Sequence, residues 1–172
     1  MDKNYLTPPS SLPPQHVRAM LSELSNSALA YEDYPVDATE VLAMNYVDEL
    51  NAKSQKEVFE KMHESKWNEK IELTTEFELT KRKQFFDEID DIEQFDLIYF
   101  DAFGYRVQPE LWSTAIFQKM YTALRPGGKL VTYAARGVVK RSMMEVGFTV
   151  EKLPGPPGKR EMFRASKAIA TI

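Results

Sequence analysis

The chain has 172 residues, 43% apolar and 28% charged, which suits one ordinary globular domain and excludes collagen-like, coiled-coil and largely disordered chains. No apolar run approaches the ~18–20 residues of a membrane-spanning helix, and the start Met1-Asp2-Lys3-Asn4-Tyr5 lacks the apolar stretch of a secretory signal. There is no cysteine and there are two histidines, His16 and His63. A disulfide framework and a cysteine nucleophile are therefore excluded, and neither a metal site nor a membrane partner is expected; a cytoplasmic location fits.

Residues 1–14 carry Pro8, Pro9, Pro13 and Pro14 and read as an irregular leader. The spacing of Val17, Met20, Leu21 and Leu24 predicts a short helix over Gln15–Leu24. Ala28–Tyr31 is a brief apolar run of strand type, and Asp37 is placed to cap a helix through Tyr46. A polar helix follows over Ser54–Glu64. Alternation over Ile71–Thr80 predicts one strand with a wet face, followed by Lys81-Arg82-Lys83. Phe95–Phe100 is nearly continuous in apolar residues, the pattern of a strand buried on both faces.

Pro109 opens a predicted helix to about Leu124, with Trp112, Ile116, Met120 and Leu124 on one face. Arg125-Pro126-Gly127-Gly128 stops it, and the strand Lys129–Tyr133 follows. The Gly127-Gly128 pair sits after a helix and before a strand, the reverse of a phosphate-binding loop, and reads as a turn. Val138–Val146 is a helix with Gly147 as its cap. Phe148–Lys152 and Arg160–Ala165 are strands joined by the turn Pro154–Gly158. Alternating strands and helices build a mostly parallel α/β sheet, and the short final turn makes its last two strands antiparallel neighbours. The expected organisation is a leader (1–14), a single domain (15–168) and a tail (169–172).

Charge and glycine are both lopsided. From Arg136 onward eight Lys/Arg face three acids, so this end carries +5 within a net charge of −4. A basic end on an acidic body is the footprint of a polyanion such as RNA, or simply a solvated surface. All seven glycines lie at or after Gly104.

A helix ending in Leu124-Arg125-Pro126-Gly127-Gly128-Lys129-Leu130 before a buried strand is common in Rossmann-type methyltransferases that use S-adenosylmethionine. Five further stretches are more specific. They are Asp96–Phe103 followed by Gln108–Trp112, then Val131–Gly137, Gly147–Val150 and Leu153–Met162. Together they resemble the methyltransferase domain family of MnmC, densely from Phe95 to Lys167 and more weakly upstream at Tyr31–Pro35. The resemblance implies a Rossmann-like class I methyltransferase sheet with an antiparallel last strand, S-adenosyl-L-methionine as cofactor and tRNA as partner. The implied reaction is the last methylation of 5-methylaminomethyl-2-thiouridine at the wobble position.

The family's first strand and glycine-rich loop find no counterpart; Pro8–Pro14 stands where that loop would be. The sheet is therefore expected to be N-terminally incomplete, to leave an open strand edge and to self-associate. No flavin domain is expected in this chain. The alternative to an enzyme is a truncated or degenerate non-catalytic domain of the same family that contacts RNA.

Asp101 ends a predicted strand, where open α/β sheets bind ligands. The resemblance implies that it serves both cofactor and catalysis, accepting the proton of the attacking amine; otherwise it caps a turn. Glu32, at another strand end, is the candidate for the cofactor's ribose hydroxyls, with Asp33 competing and a plain surface acid as the alternative. Phe103, Gly104, Pro109, Glu110 and Trp112 surround the loop beyond Asp101 and are substrate-binding candidates, since an aromatic there can stack on a splayed base. For Trp112 the core is the stronger reading, through the stripe Trp112-Ile116-Met120. Lys159 and Arg160 are candidate phosphate contacts or a solvated hairpin tip.

Overall fold

The computed structural model describes residues 19–22, 53–155 and 158–169. The chain divides into two compact units, one of Met1–Asn26 with Phe85–Ile172 and one of Ser27–Gln84. The leader, the Ala28–Tyr31 run with Glu32, and the Asp37–Tyr46 segment lie outside the described residues.

The larger unit is built on a five-stranded sheet. Its strands are β1 (Ala19–Ser22), β4 (Phe95–Phe100), β5 (Leu124–Thr132), β6 (Thr149–Pro154) and β7 (Glu161–Ser166), in the spatial order β1-β4-β5-β7-β6. β1 and β5 both pair parallel with β4, whereas β7 runs antiparallel between β5 and β6. This is the expected mostly parallel sheet with an antiparallel last strand. One row crosses all five strands, joining Leu21, Tyr99, Val131, Arg164 and Glu151.

Two expectations are corrected at the sheet's start. Residues 19–22, expected as part of a helix over Gln15–Leu24, form β1 instead. Four residues hold about one helical turn, too short a window for apolar spacing to separate the two periods, and β4 offers a parallel ladder. The open β4 edge expected from a missing first strand is also corrected, because β1 pairs along it from Leu97 to Phe100.

β4 has the predicted bounds, but only one face is fully buried. Ile98 and Phe100 lie in the core while Tyr99 is 38% exposed. The core continues through Leu130 of β5 and Phe163 and Ala165 of β7, side by side in the ladder. The helices α2 (Thr114–Ala123) and α3 (Gly137–Glu145) add Ile116, Phe117, Met120, Val139 and Met143.

The predicted helix from Pro109 to Leu124 is two pieces: a 3-10 turn over Pro109–Trp112, then α2. Ser113 divides them. It takes an extended backbone, and its hydroxyl accepts the Ile116 N–H at 3.4 Å, the arrangement of a helix N-cap. The chain then enters β5 directly at Leu124. Between the pairs Phe95–Leu124 and Leu97–Lys129 the register shifts, so Arg125–Gly128 bulges out of the ladder. Gly127 there has φ +81, and its N–H is shared by the Lys167 and Ala168 carbonyls at 3.2 and 3.3 Å. The Lys167 ammonium donates to the Leu124 carbonyl at 2.8 Å from the other side.

α3 ends as its sequence predicts. Gly147 has φ +104 and donates to the Met144 carbonyl at 3.1 Å, while Phe148 donates to the Met143 carbonyl at 3.2 Å. These two bonds form a Schellman motif, and the buried Phe148 packs edge-on against Tyr121.

The smaller unit, among its described residues, holds α1 (Lys56–Glu64) and an antiparallel hairpin of β2 (Lys70–Thr74) and β3 (Phe77–Thr80). The single strand expected over Ile71–Thr80 is thus corrected to two. A bulge between Glu72 and Thr74 sets Ile71 opposite Leu79, so the apolar odd-numbered residues of both arms share a register. The two-residue turn at Thr75-Glu76 sets even Thr74 opposite odd Phe77, and the bulge then restores odd opposite odd, so alternation alone does not show the reversal. Among the described residues no helix is long and apolar enough to cross a membrane.

Candidate functional site

Parallel pairing sets the C-terminal ends of β1, β4 and β5 side by side, where Ser22 pairs with Phe100 and Tyr99 with Val131. Asp101 follows β4 directly and is exposed. Ligands of open α/β sheets bind at this end, and backbone geometry alone brings Asp101 there.

The loop beyond Asp101 is held from below. The Trp112 indole N–H donates to the Phe103 carbonyl at 2.7 Å, and Gly104 accepts the Val107 and Gln108 N–H groups at 2.7 and 3.2 Å. The Trp112 ring is 2% exposed and stands edge-on to Phe100, with 5.2 Å between centroids and 79° between planes. It therefore offers no face to a substrate base. The substrate-contact expectation for Trp112 is corrected to a core residue that anchors the Phe103 backbone. Phe103 is half-buried, while Gly104, Pro109 and Glu110 are exposed. A Cβ built on Gly104 meets nothing within 4 Å among the described residues.

Four residues outside the sequence candidates join this end. The Arg136 guanidinium lies 5.6 Å from the Tyr105 ring centroid, tying the loop after β5 to the loop after β4. Tyr133, the first residue after β5, is 47% exposed. Gln108 has a buried side-chain oxygen, Oε1, with no hydrogen-bond partner among the described residues. The Tyr105–Arg136 pair is 31 positions apart, and no local pattern announces it. Gln108 lay within the Gln108–Trp112 motif without a reason to single it out.

Lys159 and Arg160 are exposed at the β6–β7 turn, which the Gly155 N–H closes on the Arg160 carbonyl at 3.2 Å. Thr132, at the end of β5, pairs with Phe163, and Phe163 with Lys152. The turn beyond Pro154 and Glu161 thus lies at the same end of the sheet as Asp101, two strands across at ~4.8 Å per strand. Glu32 lies outside the described residues. Among the described residues no three His, Asp or Glu side chains gather as a metal site.

Comparison with known proteins gives this arrangement a family. The chain is 42% identical over 71 residues to the tRNA 5-methylaminomethyl-2-thiouridine biosynthesis bifunctional protein MnmC of Cupriavidus necator, covering 41% of this chain and 11% of that protein. It is 36% identical over 70 residues to the protein of the same name from Paracidovorax citrulli, again 41% of this chain and 11% of that one. The matched stretch thus spans about a tenth of the length of these relatives. Among solved structures, a methyltransferase from Pyrococcus furiosus matches with a TM-score of 0.39 at 22% identity, over 47% of this chain and 44% of that one. Residues 45–168, well over half of the chain, match the family model of S-adenosyl-L-methionine-dependent methyltransferases, and the chain belongs to that family.

Proposed function

We propose that this protein is a cytoplasmic methyltransferase that methylates the amine of an aminomethyl group on a modified wobble uridine of tRNA, with Asp101 as the proton acceptor. The observation that carries the reading is the exposed Asp101 carboxylate at the C-terminal end of β4, beside the parallel β1, in a chain of this family. The substrate class follows the name carried by the MnmC relatives.

S-adenosyl-L-methionine, the family's cofactor, supplies an electrophilic methyl group on a sulfonium. The described residues fit an amine-bearing ligand at one end of the site: the carboxylate is exposed, and none of them comes within 4 Å of a Cβ built on Gly104. For the methionyl end, the first 103 residues offer no glycine for a close backbone approach. An amine is protonated near neutral pH, and its lone pair must be freed before it can attack. A carboxylate beside it accepts the proton, or holds one N–H so that the lone pair faces the methyl group. Positioning carries most of the remaining acceleration, and the Trp112–Phe103 tie fixes the backbone two residues beyond Asp101.

Asp101 and Glu32 are the proposed cofactor contacts. Phe103, Gly104, Pro109 and Glu110 are proposed to face the nucleotide, and Lys159 and Arg160 its phosphates. A non-catalytic, RNA-contacting domain is the second reading, favoured by the glycine-free first 103 residues.

Calorimetric titration with S-adenosylhomocysteine, followed by methyl transfer to tRNA bearing the free aminomethyl group, separates the two. The enzyme reading expects micromolar binding that Glu32→Ala weakens, and transfer that Asp101→Ala lowers by roughly 100-fold or more. No binding by the folded chain would leave the non-catalytic reading. Full transfer by Asp101→Ala would remove Asp101 from its role.

A further inference from the structure

The smaller unit carries a second surface that none of the site residues above uses. Trp67 is 50% exposed, although an indole is among the most costly side chains to leave in water. It is mounted rigidly. Its backbone bridges to Lys81, and the next residue, Asn68, donates its N–H to the Lys81 carbonyl at 2.6 Å. The Lys81 ammonium donates to the His63 carbonyl at 2.8 Å, in the last turn of α1, and lies 5.4 Å from the Trp67 ring centroid. The helix C-terminus and the indole thus hold one cation between them. Burial lowers the Lys81 pKa from the usual lysine value.

The surroundings are basic. Segments 61–69 and 81–83, which meet at this bridge, carry Lys61, Lys66, Lys81, Arg82 and Lys83 against Glu64 and Glu69. Lys66 and Lys83 are exposed. Lys70 belongs to a separate ion pair with Glu78. A half-exposed indole with Lys66 next to it in sequence and exposed Lys83 beyond the Lys81 bridge has the chemistry of single-stranded nucleic-acid binding, in which a base stacks on the ring while ammonium groups neutralise the flanking phosphates.

We infer that Trp67, with Lys66 and Lys83 beside it, forms an RNA-docking platform on which an unpaired base of the substrate RNA stacks. The inference deepens the reading above and rests on it only for the choice of tRNA as partner. Stacking on a base tolerates any sequence, so this surface adds affinity rather than selectivity for the modified nucleotide.

Fluorescence anisotropy of a labelled, unmodified tRNA titrated with the full chain tests it. Trp67→Ala should weaken binding on the order of tenfold, and Trp67→Phe should restore most of the loss. Lys66→Ala and Lys83→Ala should each lower the salt dependence of log K by about 0.7, one phosphate contact apiece. Circular dichroism checks that each variant is folded, and S-adenosylhomocysteine binding should be unchanged in all of them. Tryptophan-dependent RNA binding by a chain that transfers no methyl group would uphold the platform while sinking the enzymatic reading. Binding by folded Trp67→Ala within twofold of the parent would overturn the platform whatever the methyl-transfer result, as would a loss that Trp67→Phe does not repair.

Discussion

Trp112 ties the core to the candidate site, and replacing it by phenylalanine separates its two roles. The indole N–H bond to the Phe103 carbonyl at 2.7 Å is lost outright, at about 0.5–1.5 kcal/mol. A phenyl ring fills the slot beside Phe100 and Phe117 but leaves roughly 40 Å³ empty, which at about 24 cal/mol per Å³ adds about 1 kcal/mol. The total is about 2 kcal/mol, or a fall in midpoint of roughly 4–8 °C for a chain of this size. Trp112→Ala removes the edge-on partner of Phe100 as well and should cost about 3–5 kcal/mol. Calorimetric unfolding of parent and variants measures both. Methyl transfer by Trp112→Phe at a temperature where it is fully folded should also fall, because the Phe103 backbone that follows Asp101 is no longer pinned. A Trp112→Phe variant that unfolds within about 0.5 kcal/mol of the parent, the range of a neutral surface change, would refute this double role of Trp112, as would an alanine variant no worse than the phenylalanine one.

Two further substitutions probe the same unit. Gly147→Ala places a side chain at φ +104 in the α3 cap, with its Cβ 3.4 Å from the Tyr121 ring. It should cost more than about 1 kcal/mol in urea unfolding, and a neutral result would contradict the left-handed cap. Gln108→Met removes the buried oxygen that has no partner among the described residues at nearly constant volume. Stability should hold or rise by up to about 1 kcal/mol, read from the same urea midpoints. A loss above that would mean the amide makes a bond that the folded chain depends on.

What the sequence made legible was mostly local. Phe95–Phe100 is an apolar run bounded by polar residues, and β4 has those bounds. Gly147 after Val138–Val146 announced a helix end because only a residue free of Cβ strain closes that cap cheaply. The misreadings share a cause: the local pattern was common to two structures. Odd–even alternation from Ile71 to Thr80 suits a strand or a bulged hairpin, and the bulge at Glu72–Thr74 was decided by pairing rather than by residue type. Trp112 through Leu124 keeps helical spacing across Ser113, where a hydroxyl that reaches back to Ile116 starts a new helix. Ala19–Ser22 is a strand because β4 lies beside it, a fact of tertiary structure.

The site shows the same division. Asp101 was legible because a strand's end is a local property, and a parallel sheet puts every such end on one edge. That Lys159 and Arg160 share this edge follows from β6 running parallel to β4 and β5, a pairing in which β7 lies antiparallel between β5 and β6. A strand that reverses direction there sends the β6–β7 turn toward the C-terminal ends of β4 and β5; a parallel β7 would need a crossover and would leave no tight turn at that end. The antiparallel last strand therefore gathers chemistry as well as closing the sheet. It brings two cations to the end where β4 presents a carboxylate, across the loop that Arg136 and Tyr105 hold together. A substrate that carries both an amine and flanking phosphates would meet these charges in complementary order, with the amine at Asp101 and the phosphates toward the hairpin. An uncharged small molecule would leave the hairpin's cations unused, so charge reversal at Lys159 and Arg160 should weaken tRNA methylation and spare binding of S-adenosylhomocysteine.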